Sequence, residues 1–97
     1  MNKLVLRLYV AGATPRSERA VANIRAVCAD LTTDYDLEVI DVTQQPDVAE
    51  RERIMATPAL VRESPLPRRR IIGDMSQHQL VIQALDLPAL PPPPPIE

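Results

Sequence analysis

Leu4-Val5-Leu6-Arg7-Leu8-Tyr9-Val10, followed directly by Ala11-Gly12-Ala13-Thr14-Pro15-Arg16-Ser17, is the stretch that decides the fold. Every second residue of the first segment is Leu or Val, a spacing typical of a β-strand with one buried face. In the second segment Thr14 is a favourable helix N-cap, and Pro15 suits the first helical position because no backbone donor is needed there. The stretch therefore predicts a buried strand that leads into a helix.

The helix that begins at Pro15 is predicted to bury one face. Its apolar residues recur at helical spacing and lie on one side: Ala20, Ile24, Val27, Cys28 and Leu31. Cys28 is therefore interpreted as a small core residue rather than a reactive thiol.

Five further segments carry strand or helix patterns. They are a strand at 37–42, a helix at 46–53, strands at 59–61 and 69–72, and a helix at 76–85. The 37–42 strand is predicted to be central in its sheet, because apolar side chains occur in both of its alternating sets. The order β-α-β-α-β-β-α predicts an α/β fold, with a mixed four-stranded sheet and helices on both faces.

This order resembles that of thioredoxins, which place a Cys-x-x-Cys pair at the mouth of the first helix, opposite a proline that is usually cis. Here Thr14 and Ser17 stand at the thiol positions, and Thr57-Pro58 matches the proline. Hydroxyl groups cannot exchange disulfides, so the sequence predicts a protein that is not an enzyme, and a thioredoxin-like oxidoreductase is only a remote alternative. Thr14 and Ser17 are expected to cap the helix, with anion binding at its N-terminus as the alternative.

The composition indicates one small cytoplasmic domain. The 97 residues fit a single core at 1–87, and the proline-rich stretch 88–97 is predicted to be a flexible, extended tail. A net charge of −2 gives no reason to expect binding to nucleic acid or to a membrane. One cysteine and one histidine, His78, supply neither an internal disulfide nor a metal site, so no metal or cofactor is predicted.

Six short blocks resemble the KaiB family, the small clock proteins of cyanobacteria and their homologues in other bacteria. The blocks are Leu8-Tyr9-Val10-Ala11-Gly12, Thr14-Pro15, Val39-Ile40-Asp41-Val42, Gln45-Pro46, Ala56-Thr57-Pro58 and Arg69-Arg70-Ile71-Ile72-Gly73-Asp74. The similarity spans residues 3–87, and the blocks occur in the order and at the spacing of the family. The last block is the most specific, because an ordinary thioredoxin is not expected to contain it.

The resemblance implies a non-enzymatic regulator that binds the ATPase ring of KaiC, competes there with a sensor kinase carrying a similar domain, and in clocks captures KaiA. It also implies two alternative folds. The thioredoxin-like form binds KaiC, and a β-α-β-β-α-α-β form occurs in tetramers, so a dimeric or tetrameric homo-oligomer is a further expectation. Two packings of one sequence interconvert when they differ by only a few kcal/mol. A KaiB homologue that acts outside a clock, in a stress response or in signalling, is the alternative function.

The resemblance assigns the KaiC-docking surface to the second predicted helix. The residues concerned are Pro46, Val48, Ala49, Glu50, Glu52, Arg53 and Ile54. Glu52 and Arg53 are expected to form ion pairs across the interface, with Val48 or Ile54 as apolar anchors. The alternative is an ordinary solvated helix whose Val48 and Ile54 face the core.

A second surface, formed by Tyr35, Asp36 and Glu38, corresponds to the part of clock KaiB proteins that contacts KaiA. Several of those proteins carry a lysine where this chain has Glu38. A reversed charge at an interface lowers affinity and association rate, so the sequence argues against capture of KaiA.

Five residues are related by the resemblance to the change of fold: Pro58, Gly73, Asp74, Ala84 and Asp86. Ala84 stands where many clock KaiB proteins have glycine, and alanine favours a helix over glycine by roughly 1 kcal/mol. Pro88 acts in the same direction, because a strand extended past it would lack a ladder donor. Both features favour the thioredoxin-like form.

Arg68-Arg69-Arg70 is a further charged segment. It is interpreted either as a site for an anion or an acidic partner, or as charge that protects the edge of an exposed hairpin. Strand alternation sends Arg69 to the face opposite Arg68 and Arg70, so the three are not predicted to form one patch.

Overall fold

The computed structural model describes residues 3–90, and its elements follow the predicted thioredoxin-like order. They are β1 (Leu4–Val10), α1 (Pro15–Ala29), β2 (Tyr35–Asp41), α2 (Pro46–Arg51), β3 (Ala59–Ser64), β4 (Arg69–Ile72) and α3 (His78–Ala84). This confirms the fold expected from the sequence. The alternative β-α-β-β-α-α-β order is not the one that the structure has.

The four strands form one mixed sheet in the order β2-β1-β3-β4. β1 pairs in parallel with β2, in register from Leu4 opposite Tyr35 to Val10 opposite Asp41. β3 pairs antiparallel with both β1 and β4. The strand that opens the chain is therefore central, which explains its run of buried side chains.

The prediction that the second strand is central is wrong, because β2 lies at the edge of the sheet. Its two apolar sets face two different layers: Leu37 packs against the core beneath α1, and Ile40 belongs to a core cluster on the other face. Apolar residues on both faces of β2 thus indicate that the sheet is covered by helices on both faces. They carry no information about neighbours in the hydrogen-bonding direction.

Two clusters of apolar side chains fill the space on either side of the sheet. The larger joins alternate residues of β1, including Leu6 and Leu8, to the buried faces of α1 and α3. The smaller joins Tyr9 and Ile40 to Ala59 and Val61, and residues of the α2 segment pack against it. Because the sheet has helices on both faces, α2 stands alone on the face opposite α1 and α3.

Two helices are shorter than predicted. α2 ends at Arg51 rather than Arg53, because Arg53 has a left-handed backbone with φ of 56°. α3 begins at His78 rather than Ser76, and it follows a turn in which Met75 has a positive φ of 61° and the backbone N–H of Ser76 is bonded to the Asp74 carboxylate at 3.1 Å. At the end of α2, the turn takes the Ala49 and Glu50 carbonyls that a longer helix would use.

The domain extends three residues beyond its predicted boundary at 87. The Thr32 N–H donates to the Pro88 carbonyl at 2.9 Å, and the Leu90 N–H donates to the Asp30 carbonyl at 2.8 Å. Ala89 forms an antiparallel bridge with Leu31 between them. Residues 88–90 are therefore paired with the segment after α1, and the rest of the predicted tail lies outside the described residues. Within 3–90, no helix combines the length and apolar character needed to cross a bilayer.

Candidate functional site

The mouth of α1, where thioredoxins hold their thiols, is occupied by a hydroxyl N-cap. The Thr14 Oγ1 accepts the backbone N–H of Ser17 at 3.1 Å and donates to the Ser17 Oγ at 3.0 Å. Ser17 is buried. The Thr14 hydroxyl thus caps the helix, as predicted, whereas the Ser17 hydroxyl accepts only from Thr14 among the described residues and caps no backbone group.

Cys28 lies at the opposite end of α1 and is only 4% exposed. Burial raises the pKa of its thiol to about 11, so the nucleophilic thiolate is scarce at neutral pH. The prediction that Cys28 is a core residue is confirmed, and the residue lies in the same cluster as Ile24.

The C-terminus of α2 is closed by a Schellman motif centred on Arg53. The Ile54 N–H donates to the Ala49 carbonyl at 2.9 Å, and the Arg53 N–H donates to the Glu50 carbonyl at 3.2 Å. This motif needs a left-handed residue just after the helix, a position usually taken by glycine. Here Arg53 takes it with φ of 56°, and its side chain is exposed.

Two arginines of the β3–β4 hairpin hold this helix end in place. Arg70 donates to the carbonyls of Arg53 and Glu52 at 3.0 and 3.1 Å. Arg68 pairs with the Glu52 carboxylate at 2.8 Å and with Glu63 at 2.9 Å. Glu52, expected to pair across an interface, is therefore engaged within the molecule. The Arg53 guanidinium forms no ion pair within the described residues.

The two expected apolar anchors face inward. Val48 and Ile54 are half-buried and pack against the smaller core cluster, as the solvated-helix alternative predicts. The exposed apolar residue of this edge is Met55, which is 91% exposed. Sequence reasoning missed Met55, because it follows the helix and belongs to no periodic pattern. Of the remaining residues, Pro46 and Glu50 are exposed and Ala49 is half-buried.

The second candidate surface lies on the edge strand β2. Asp36 pairs with Lys3 and Glu38 pairs with Arg7, each at 3.2 Å. The register places Glu38 directly opposite Arg7 on β1. The negative charge of Glu38, which stands where several clock KaiB proteins have lysine, is therefore paired with an arginine of the neighbouring strand. Tyr35 is 40% exposed at the start of the strand.

The residues assigned to fold switching lie at the junctions of the second half. The Thr57–Pro58 peptide is cis, and Pro58 accepts the backbone N–H of Gly73 at 2.9 Å. Asp74 accepts from Ser76, and these hydrogen bonds lower the pKa of its carboxyl. Ala84 is the last residue of α3. Asp86, with φ of 50°, is the left-handed residue of a second Schellman motif, in which its N–H and that of Leu87 bond back into α3.

A buried arginine, Arg62 on β3, was not found from the sequence. It is 4% exposed and donates to the Leu85 carbonyl at 2.8 Å and the Pro67 carbonyl at 2.7 Å. It thereby joins β3 to the C-terminus of α3 and to the hairpin turn, where a cation suits the helix dipole. Arg69, its partner in the β-register, is exposed. The Leu85 contact spans 23 residues of sequence, so no local pattern indicates it.

His78 lies at the start of α3, with its Nε2 3.4 Å from the Asn23 Oδ1. Among residues 3–90 no three metal-ligating side chains cluster. The exposed end of α2 and the edge of β2 are thus the surfaces at which the candidate residues gather.

Comparison with known sequences identifies the family. Residues 7–87 match the KaiB domain. The chain is 50% identical over 88 residues to the circadian clock protein KaiB3 of Synechocystis sp., covering 90% of this chain and 86% of that protein. It is 46% identical over 84 residues to the circadian clock oscillator protein KaiB of Synechococcus elongatus, covering 86% and 82%.

Comparison with solved structures agrees with the fold. The N-terminal domain of Synechococcus elongatus SasA superposes with a TM-score of 0.71 at 33% identity, covering 86% of this chain and 80% of that one. Mitochondrial thioredoxin 3 of Saccharomyces cerevisiae gives a TM-score of 0.66 at 18% identity, covering 89% and 79%, and shows the fold alone. With a matching domain over most of its length and close relatives among clock proteins, this chain belongs to the KaiB family.

Proposed function

We propose that this protein is a non-enzymatic regulator that binds a KaiC-type ATPase ring in its thioredoxin-like form, through the exposed end of α2. We refer to residues 46–55 as the α2 edge. The proposal extends the family assignment to a partner and a surface. It places the protein in the cytoplasm, the compartment that a single unpaired cysteine favours.

The observation that carries the proposal is the geometry at Arg53. A non-glycine residue with positive φ costs free energy, and such residues persist where they serve a function. Arg53 keeps this conformation at the tip of the α2 edge, with its guanidinium exposed and its backbone held by Arg70. A rigidly presented arginine beside the exposed Met55 has the composition of an interface anchor.

The similarity to SasA supports the choice of partner. The KaiB resemblance implies competition on the ring with a kinase that carries a similar domain, and the SasA N-terminal domain shares this fold at 33% identity. Two domains of one shape can compete for one surface. Ala84, at the end of α3, favours this form over its alternative, because alanine exceeds glycine in helix propensity by roughly 1 kcal/mol.

Arg53→Glu tests the proposal. The variant should fold normally and lose at least about tenfold in affinity for the ring, since the change replaces an attractive interface charge by a repulsive one. The matched control is Arg25→Glu, which makes the same charge change at an exposed position of α1, on the opposite face of the sheet. Equal affinities for the two variants would contradict the assignment of the α2 edge.

The ion pair of Glu38 with Arg7 favours a second proposal, that the protein acts without KaiA. The β2 surface then has its acidic groups neutralised within the molecule. Such a protein would belong to a timing or stress-response system outside the clock of cyanobacteria. Addition of KaiA to the KaiC-bound complex tests this, and formation of a ternary complex would contradict it.

A further inference from the structure

Residues 3–90 contain three sulfur atoms, which differ in their access to solvent. Cys28 and Met75 belong to the larger core cluster and are each 4% exposed, whereas Met55 is 91% exposed. Burial raises the pKa of the Cys28 thiol to about 11, so its reactive thiolate is scarce at neutral pH. An oxidant dissolved in water therefore meets the Met55 thioether before it meets the two buried sulfur atoms.

The exposure of Met55 is set by the residues on either side of it. The Ile54 N–H donates to the Ala49 carbonyl at 2.9 Å, and the Ile54 side chain packs against the smaller core cluster. Pro58 is buried, and its carbonyl accepts the Gly73 N–H at 2.9 Å. Because both flanking residues are anchored in the domain, the short segment between them carries the Met55 side chain on the surface.

The position of Met55 separates it from other exposed apolar residues. Single exposed apolar side chains are common on protein surfaces and indicate no function by themselves. Met55 lies two residues after Arg53 in the α2 edge, and the Arg53 guanidinium is exposed and forms no ion pair within the described residues. Methionine and arginine are both enriched at protein interfaces. Under the proposed function, docking of the α2 edge buries the Met55 side chain against the partner.

Oxidation by a peroxide makes this side chain polar. The sulfur lone pair attacks one oxygen of hydrogen peroxide, the O–O bond breaks, and the other oxygen takes the proton of the first and leaves as water. One S–O bond forms, so the sulfur loses two electrons and the peroxide gains them. The product is methionine sulfoxide, a polar group that disrupts interfaces to which the thioether contributes.

The sulfoxide can be converted back to the thioether. Methionine sulfoxide reductases catalyse this step, in which two thiol groups supply the electrons and form a disulfide, and the sulfoxide oxygen leaves as water. The exposure of Met55 gives a reductase the same access that it gives the oxidant. Within residues 3–90, Met55 belongs to neither core cluster, so its oxidation leaves the packing of the domain intact.

We propose that Met55 is a site of reversible oxidation by peroxides, and that its sulfoxide weakens docking of the α2 edge on the partner ring. The inference rests on the proposed function, because it adds regulation to the same surface. The side chain acts as a redox-sensitive part of the interface, while the two buried sulfur atoms stay reduced.

Peptide mapping by mass spectrometry, after brief treatment of the full chain with hydrogen peroxide, tests the site. Met55 should gain one oxygen at least about tenfold faster than Met75, because exposure governs the rate. Met1 lies outside the described residues, and its peptide is quantified separately. The urea midpoint of the briefly treated protein should equal that of the untreated protein. Equal rates for Met55 and Met75 would overturn the proposal.

A binding titration with a cognate KaiC-type ATPase tests the effect, with peroxide removed before the ATPase is added. Treated wild type should bind at least about fivefold more weakly than untreated wild type, and a reductase should restore the affinity. Met55→Leu removes the sulfur and keeps an apolar side chain of similar volume, so its affinity should be the same before and after peroxide. Met75→Leu, the matched control at a buried sulfur, should respond to peroxide as the wild type does.

The outcomes separate this inference from the proposed function. Binding by untreated wild type that peroxide leaves unchanged would overturn the inference and leave the function standing. A loss of affinity that persists in Met55→Leu would also overturn it, because another residue would then carry the effect. Absence of binding by the untreated protein would contradict the proposed function itself, and the regulation of docking with it.

Discussion

Arg53 shows how one residue can carry a cost in stability and a proposed role in binding. Its backbone adopts a positive φ that glycine adopts without strain, at the position where a Schellman motif usually has glycine. Arg53→Gly should therefore raise the free energy of unfolding by roughly 0.5–1 kcal/mol while weakening the ring complex. Urea denaturation measures the first effect and a binding titration the second.

The control for this prediction is Glu50→Gly, at an exposed position inside the same helix. Glycine there should lower the free energy of unfolding by roughly 1 kcal/mol, because it has the opposite effect within a helix. A loss of stability in Arg53→Gly similar to that in Glu50→Gly would contradict the strain argument.

Asp41 is expected to make the stability of the fold depend on acid pH. Hydrogen bonds from the Thr43 hydroxyl, the Gly12 N–H and the Thr43 N–H hold the pKa of its carboxyl below the ordinary value of 3.8. Because the folded pKa is the lower one, the stabilisation is present above pH 3.8 and is lost as the pH falls through the folded value.

Urea midpoints of the wild type and Asp41→Asn, followed from neutral to acid pH, measure this contribution. The two proteins should differ near neutral pH and converge as the pH falls below 3.8. Asp34→Asn is the matched control, since the Asp34 carboxylate makes no hydrogen bond or ion pair within residues 3–90. A difference for Asp41→Asn that stays constant across the acid range would contradict the account.

For single residues, the sequence predicts the role of a side chain when the residues that it contacts are close to it in the chain. The Thr14 cap follows from a bond to a residue three positions away, and the core role of Cys28 follows from helical spacing. The positive φ of Arg53 depends instead on where Ile54 packs in the core, and the exposure of Met55 depends on where the helix ends. Neither is a property of local sequence.

Among the elements, the second half of the domain is held together by Arg62. Its guanidinium joins β3 to the hairpin turn and to the end of α3 through the Pro67 and Leu85 carbonyls. Arg62→Met keeps most of the side-chain volume but leaves these carbonyls without a donor. We expect a loss of roughly 1–3 kcal/mol in the free energy of unfolding, measured by urea denaturation.

Arg69→Met is the matched control for this change, because Arg69 is exposed and lies opposite Arg62 in the β-register. It should alter stability by no more than about 0.5 kcal/mol. Amide exchange should also show faster opening of α3 in Arg62→Met than in the control. Equal stability of the two variants would show that Arg62 does not hold the elements together.

The order of the elements was predictable, and the position of β2 was not. Strand alternation, prolines at helix starts and the Thr57–Pro58 landmark mark the elements along the chain. The place of a strand within a sheet depends on which partners it bonds to, and both the edge strand β2 and the central strand β1 carry apolar residues on two faces. The hydrophobic pattern therefore does not predict which strands pair with one another in the sheet.

For the whole molecule, the fold and the family agree, and the proposed function depends on which arrangement the second half adopts. The structure has the thioredoxin-like order, in which α2 stands alone on one face of the sheet and its C-terminal end is fixed by Arg68 and Arg70 of the hairpin. In the alternative order expected for the family, the second half would be rearranged and these contacts would be absent. Under the proposed function, the α2 edge and the thioredoxin-like second half form one binding-competent state.

The most direct test of this account is heteronuclear NMR of the labelled protein after prolonged incubation with a cognate KaiC-type ATPase that carries phosphomimetic substitutions. We predict a stable complex in which resonances of residues 46–55 change most, while residues 59–87 keep the chemical shifts of a hairpin followed by one helix. Absence of a complex after prolonged incubation, or a bound protein with two helices followed by a strand over residues 59–87, would contradict it.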